Sequence, residues 1–290
     1  MKAMVWWLVQ LLYALVGSAV AGIVPGGSAE PQRGISIPLA PLSPGSQAPL
    51  PPVTKARTAD APLVVIDPGH GGHDPGARSP FVDQPEKNHT LALAIAIRDA
   101  LAATGRVRAA LTRADDTYLG LEERYVLARR MGADLFISIH ADAAPNDGAH
   151  GATIYTLSEV ASDRQAALLA SEQNESNRIA GARLGSDPGV NMILIDLAQR
   201  ESMDVSAEFA RLLHREAAPV FPFRPDWHRF AAFIVLKAPD IPSVLFESGY
   251  LTNETDSRYI ASPEGRQQIA TGMRRAIEAH FARRALGGGR

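Results

Sequence analysis

His70, Glu86 and His140 stand far apart in the chain, yet each occupies a strand end or a loop and each is a residue type that binds zinc. His70 lies in VIDPGHGG (Val65 to Gly72) and His140 in FISIHAD (Phe136 to Asp142), while Glu247 closes another apolar run in VLFESG (Val244 to Gly249). Two imidazoles and one carboxylate make a catalytic zinc set with one position open for water. A further carboxylate, Glu247, is suited to carry a proton beside them. Zinc would lower the pKa of water toward about 7 and polarise a carbonyl, so the chemistry implied is metal-dependent hydrolysis. Gly69, Gly71, Gly72 and Gly76 let the backbone turn sharply around His70 and leave room for a bulky substrate. Asp67 is placed to orient an imidazole from behind.

Taken singly, each residue has a plainer explanation. A histidine after an apolar strand is commonly a turn or buried histidine. The Gly-His-Gly-Gly loop lacks both the Lys-Ser/Thr ending of a P-loop and the G-x-G-x-x-G spacing of a dinucleotide site. Glu86 also suits a helix N-terminus through the helix dipole. On spacing alone, His73 and His89 compete as ligands. His150, His214, His228 and His280 fall in no comparable glycine loop and are read as solvated or structural. A His-Glu-x-x-His signature is absent.

The elements that must position these residues alternate. Leu63 to Ile66 reads as a strand, Leu91 to Ala103 as a helix closed by Gly105, and Val107 to Thr112 as a second strand. Leu121 to Met131 is a helix stopped by Gly132, and Leu135 to Ile139 a buried strand with His140 next. Further on, the pattern predicts helices over Met203 to Ala217 and Pro263 to Ala285, the latter with Ser262 as cap and Pro263 in its first turn. Phe230 to Leu236 and Pro242 to Phe246 read as closing strands. This alternation predicts an α/β fold, a single domain with a twisted, mostly parallel sheet flanked by helices. In such sheets ligands gather beyond the carboxyl ends of the strands, where His70, His140 and Glu247 fall. A polar stretch from Ser158 to Gly189 interrupts the alternation. Its middle, Asp163 to Ala182, is helical in pattern with a thin apolar face of Ala167, Leu168, Ala170 and Ile179.

The 290-residue chain opens with Lys2, an apolar run from Met4 to Val16 and the small residues Ala19-Val20-Ala21. This predicts a secretory signal peptide over residues 1–21, with an uncleaved anchor helix as the alternative. Either way the rest is exported, and the periplasm is the expected location. Residues 22–62, with prolines from Pro25 to Pro62, predict a disordered linker. The folded region spans 63–285, followed by a flexible tail at 286–290. With no cysteine, stability must come from a hydrophobic core rather than disulfides. A net charge of −2 and the lack of any basic run argue against a nucleic-acid partner.

Several blocks together resemble the zinc-dependent N-acetylmuramoyl-L-alanine amidases of the AmiA/AmiB/AmiC type that separate daughter cells. They are VIDPGHGGHDPGA (Val65 to Ala77), Pro85-Glu86-Lys87, Leu111-Thr112-Arg113, DLFISIHAD (Asp134 to Asp142), DLAQR (Asp196 to Arg200) and VLKAPDIPSVLFESGYLTN (Val235 to Asn253). The resemblance covers roughly Leu63 to Ala282. It implies that His70, Glu86 and His140 are the ligands of one zinc ion and Glu247 the catalytic glutamate. The implied reaction is hydrolysis of the amide between the lactyl group of N-acetylmuramic acid and L-alanine of the stem peptide, in daughter-cell separation and wall turnover. It further implies that residues 158–189 form an autoinhibitory insert over the zinc, moved aside by an activator of the LytM-domain type. The insert departs from the family pattern: Gln173-Asn174 stands where relatives carry Glu-Asn, leaving Glu172 or Glu175 to supply a blocking carboxylate. The chain also lacks room before residue 63 for the extra wall-targeting β domain of many relatives. A monomer is expected. Two rivals remain, a zinc peptidase acting within the stem peptide and a non-catalytic wall-binding protein that retains the fold.

Overall fold

The computed structural model describes residues 49–144, 148–179 and 192–287. In chain order the elements are β1 (Leu63–Pro68), α1 (Glu86–Thr104), β2 (Arg108–Leu111), α2 (Leu121–Arg130), β3 (Leu135–Asp142), β4 (Ala152–Leu157), α3 (Arg164–Ile179), α4 (Met192–Ala217), β5 (Phe223–Ala231), a 3-10 turn (Ile234–Leu236), β6 (Ser243–Tyr250), α5 (Glu254–Ala261) and α6 (Pro263–Leu286). The six strands form one sheet in the order β2-β1-β3-β6-β4-β5. All neighbours run parallel except β4 and β6, which are antiparallel.

Because side chains alternate along a strand, the sheet has two separate apolar faces. One carries Val64, Ile66, Ile137, Ile139, Val244 and Phe246 and is covered by α1, α4 and α6 through Leu93, Ile97, Phe209, Leu213, Ile269 and Met273. The other carries Val65, Phe136, Tyr155 and Leu245 beneath α2, α3 and the 3-10 turn. β1, β3 and β6 are buried on both faces along their whole length, as central parallel strands must be. The polar residues of this second face, Asp67, Ser138, His140, Glu247 and Thr153, therefore sit in fully buried strands, and that is where the chemistry collects.

Several boundaries differ from those expected, each for a physical reason. β3 and β6 continue past their apolar runs, so His140 and Glu247 lie within strands rather than beyond their ends. The strand expected over Phe230 to Leu236 is instead the end of β5 followed by the 3-10 turn. Here the Asn174 side chain takes over the ladder's role, accepting the Ile234 N–H (2.9 Å) and donating to the Ala232 carbonyl (2.9 Å). α4 starts at Met192, well before Met203. Its residues 197–201 are good helix formers, but Leu197 is solvent-exposed, so no buried periodicity marks them. α1 starts at Glu86 rather than Leu91, with Glu86 as its first helical residue. β4 and α5 were not anticipated. α5 begins at the Asn253 cap, which accepts the Asp256 N–H.

The linker expected to be disordered to residue 62 is tied down well before that. Thr54 exchanges hydrogen bonds with Ala109, the Arg57 N–H donates to Gly105 O and the Arg108 side chain donates to Ala61 O. These contacts cover the outer edge of β2, whose backbone would otherwise be unpaired. Ser262 caps α6 through the Gly265 N–H, with Pro263 in the first turn as expected. α6 runs through Leu286, and residues 288–290 of the expected tail lie outside the described residues, as do the expected signal peptide, most of the linker and the end of the insert. Among the described residues no helix is long and apolar enough to cross a membrane.

Candidate metal centre

The loop from β1 to α1 carries His70 in a left-handed conformation (φ 61°), the one positive-φ residue other than glycine among those described. Two buried guanidinium groups hold it there. Arg124 donates to Pro68 O (2.8 Å) and His70 O (2.9 Å), and Arg113 donates to Pro68 O (3.0 Å) and Gly69 O (2.7 Å). Asp67, expected to orient an imidazole, does something else. It pairs with Arg124 (3.0 Å) and accepts hydrogen bonds from Thr112 and Ser138, and it interacts with His140 only through its charge. The group that orients His70 is Asp74, whose Oδ2 lies 2.9 Å from His70 Nδ1. Asp74 stands four residues after His70 in the same motif, a spacing that sequence reasoning passed over.

Glu86, at the start of α1, points back under this loop. Its Oε2 accepts the Ala77 N–H (2.8 Å) and lies 3.1 Å from His70 Nε2; its Oε1 accepts the Ala141 N–H (3.0 Å) and lies 3.1 Å from His140 Nδ1. One ligand atom from each of His70, Glu86 and His140 lies within 4.8 Å of the others, and all three residues are buried. The competing histidines stand apart: the His73 ring packs at a tilt against Tyr118, and His89 bonds the Gln84 carbonyl.

The His140 ring lies directly over Gly69, where a Cβ atom would come within 2.3 Å of the ring. Gly69→Ala must therefore displace His140. We expect metal affinity to fall roughly 10- to 100-fold, the usual cost of disturbing a ligand's support, measured by competition with a chromogenic chelator. Unchanged affinity would refute that steric role for Gly69.

Glu247 is the lateral neighbour of His140 across the β3–β6 pair, and Ser248 Oγ donates to the His140 carbonyl (2.9 Å). The register shifts just beyond, between His140 and Asp142, a bulge of the kind found next to active sites. Both Glu247 carboxylate oxygens are fully buried and bonded to no other side chain, with the Asp142 backbone N–H as their nearby donor. Burial, together with Asp142 and Glu86, pushes the Glu247 carboxyl well above the usual carboxylate range. Burial likewise raises Asp142, to about 7, with help from Glu86 and Glu172. Asp142 is two residues along from His140 on the same strand face, so period-two alternation was the available signal for it.

The donor set fits a cation. Burial opposes a charge on His70, yet Glu86 and Asp74 outweigh it and raise the imidazole to about 9. Glu86 is in turn held well below its usual range, against burial, by His70 and His140. Burial lowers the His140 imidazole. His70 Nε2 is buried 3.1 Å from the Glu86 carboxylate. Two nitrogens with one carboxylate oxygen suit a borderline divalent ion, whose binding displaces any proton on the ligand nitrogens.

α3 lies on the same face of the sheet. Asp163 caps it through the Ala166 N–H (3.0 Å) and pairs with the buried Arg229, while Asn174 fastens it farther along. Its buried contacts are Ala166, Leu169 and Ala170, not the expected Ala167 and Leu168, which are exposed. The side chain of Ile179 lies outside the described residues. Glu172 is exposed but close enough to Asp142 to raise its carboxyl, and neither Glu172 nor Glu175 belongs to the trio whose ligand atoms converge.

A cation site of two imidazoles and a carboxylate, with a buried acid alongside and a mixed α/β sheet beneath, belongs to the metal-dependent hydrolases. The profile of the family described as N-acetylmuramoyl-L-alanine amidase matches residues 64–279. The chain is 37% identical over 232 residues to N-acetylmuramoyl-L-alanine amidase AmiA of Salmonella typhimurium, spanning 79% of each, and 36% identical over 221 residues to AmiA of Escherichia coli K12, spanning 76% of each. Its fold matches the catalytic domain of the amidase CwlV of Bacillus (Paenibacillus) polymyxa with a TM-score of 0.57 at 25% identity, covering 76% of this chain and 98% of that domain. The chain belongs to the N-acetylmuramoyl-L-alanine amidase family, hydrolases of peptidoglycan, and is an amidase of that class.

Proposed function

We propose that His70, Glu86 and His140 hold one zinc ion, and that Glu247 carries the proton in hydrolysis of the amide joining N-acetylmuramic acid to L-alanine of the stem peptide. The observation that carries this reading is the buried Glu247 carboxylate, bonded to no other side chain, beside His140 and a buried N-N-O cluster. When bound, a divalent ion polarises the amide carbonyl and makes water more acidic. Asp74 fixes the His70 ring so that Nε2 faces the centre. Glu247 takes a proton from the attacking water as its oxygen bonds to the carbonyl carbon. As the C–N bond breaks, Glu247 returns that proton to the nitrogen, leaving a lactyl carboxylic acid and a free L-alanine amine.

α3 lies on the sheet face that carries the buried Glu247 and His140, with Glu172 near Asp142, so α3 acts as a lid in this reading. A LytM-domain-type activator would move it, in an exported, monomeric enzyme of the periplasm that serves daughter-cell separation and wall turnover; the signal-like N-terminal sequence and the family resemblance support that placement.

Elemental analysis of the purified protein, combined with identification of the products from wall digests, tests the proposal. The expected result is one zinc per chain, loss of activity on chelation and its return with zinc, and release of intact stem peptides with free L-alanine amines. Cleavage inside the stem peptide would favour a peptidase, and digestion unaffected by chelation would remove the metal.

A further inference from the structure

Three successive residues of the metal loop, His70, Gly71 and Gly72, have positive φ (61°, 127° and 58°). Such a run belongs to no helix or strand. A side-chain-bearing residue like His70 stays there only where its neighbours over-determine it. On the upstream side the Arg113 and Arg124 contacts to Pro68, Gly69 and His70 supply that hold. On the downstream side the turn closes on itself through two backbone bonds between Gly71 and Asp74, which do not tie it to the rest of the protein. Lys87 and Asp116 do. Lys87 Nζ donates to the Gly72 carbonyl (2.8 Å), the Gly72 N–H donates to Asp116 Oδ1 (3.0 Å), and Nζ pairs with Asp116 Oδ2 (2.6 Å). Both main-chain groups of one glycine are thus taken by two side chains that also bind each other.

Lys87 directly follows the ligand Glu86, so the clamp joins the two segments that carry His70 and Glu86. Its main chain adds to the joint: the Lys87 N–H donates to Pro75 O (3.1 Å), and its carbonyl accepts from Arg113 (2.9 Å). The loop bearing Asp116 lies flush against the turn, since a Cβ on Gly71 would meet Thr117 O at 2.3 Å. As an ion pair the contact adds little to stability, because the Asp116 side chain is 58% exposed. Its effect lies in where it fixes the chain. We propose that Lys87 is a positioning residue for the metal centre: with Asp116 it locks Gly72 and so holds His70 in place against Glu86. This inference rests on His70, Glu86 and His140 being the ligands. Charge alone predicts the opposite effect of Lys87. Neutralising a cation beside a bound cation lessens repulsion and tightens binding. Weaker binding on its removal therefore reports geometry.

The test measures zinc affinity of the full chain by competition with a chromogenic chelator, with the Tm of the metal-free protein alongside. It compares the parent, Lys87→Met, Lys87→Met with Asp116→Ala, and His140→Ala. Lys87→Met is expected to weaken zinc binding about tenfold, the lower end of the cost of disturbing a ligand's support. The metal-free Tm is expected to stay within about 4 °C of the parent. In the double variant the two lost charges cancel, and binding is expected within about twofold of Lys87→Met, as for two residues of one clamp. Binding by Lys87→Met equal to or tighter than the parent overturns the proposal. So does a double variant weakened by the product of separate losses, or a larger fall in Tm, which would assign the effect to general destabilisation. Should Lys87→Met fail to fold, Asp116→Asn and Asp116→Ala replace it: both lose the charge, but asparagine keeps an acceptor for the Gly72 N–H. Weaker binding by the Ala variant than by the Asn variant supports the proposal, and equal binding overturns it. A parent that takes up no zinc, or keeps it after His140→Ala, overturns the ligand reading and this proposal with it. Zinc lost in His140→Ala but unaffected in Lys87→Met overturns the proposal alone.

Discussion

Replacing Glu247 with glutamine is expected to lower kcat for wall hydrolysis by about 10²- to 10⁴-fold, the range for loss of a positioned proton carrier, while fold and zinc content are kept. The separation of these effects follows from the structure. The carboxylate makes no hydrogen bond to another side chain, and glutamine keeps an acceptor oxygen for the neighbouring Asp142 N–H, so the substitution costs little. The carboxyl is already strained by burial and by Asp142 and Glu86, so a neutral group of the same shape relieves repulsion instead of adding it. Glu247 also stands outside the cluster of His70, Glu86 and His140, so their hold on a cation persists. Zinc analysis and a thermal melt run beside the activity assay give the check. Activity within a few-fold of the parent would remove Glu247 from the reaction, and loss of zinc would recast it as a ligand.

Excising residues 164–182, with Asp163 retained, is expected to raise basal activity by about 10- to 100-fold. That is the gain when a site accessible in about 1–10% of molecules becomes fully accessible. Asp163 is kept because Arg229, 3% exposed, would otherwise lose the nearer of its two ionic partners and keep only Asp226 at 3.7 Å. The hold on α3 is modest in scale: Leu169 with Ala166 and Ala170 supplies about 2–4 kcal/mol of apolar burial. The Asn174 bonds to Ala232 and Ile234 add roughly 1–3 kcal/mol. A helix held by so little belongs to the low-stability class of elements that partners can displace. Rates on purified wall without any activator decide the matter. A folded deletion with unchanged or lower activity would show that α3 does not gate the site.

Much of the centre was legible before folding because the ligand types are chemically uncommon in apolar surroundings. His70 amid glycines, His140 inside FISIHAD and Glu247 inside VLFESG each break a run that would otherwise be pure core. The alternation of elements likewise announced the parallel sheet, since period and turn signals are local. Less legible were α4 before Met203, whose Leu197 faces solvent, and the irregular chain after β5, where a side chain from another element replaces strand pairing. Local pattern cannot register a contact made by Asn174 across some sixty residues.

The identity of the chemistry was thus a property of the sequence: nitrogen and carboxylate ligands, a spare acid, and glycines that allow close approach. Which groups work together was decided only by the tertiary fold. Side chains point to one face or the other by strand register, and register is set by pairing between distant segments. That pairing put Glu247 beside His140, turned Asp67 away to Arg124 and left Asp74 to orient His70.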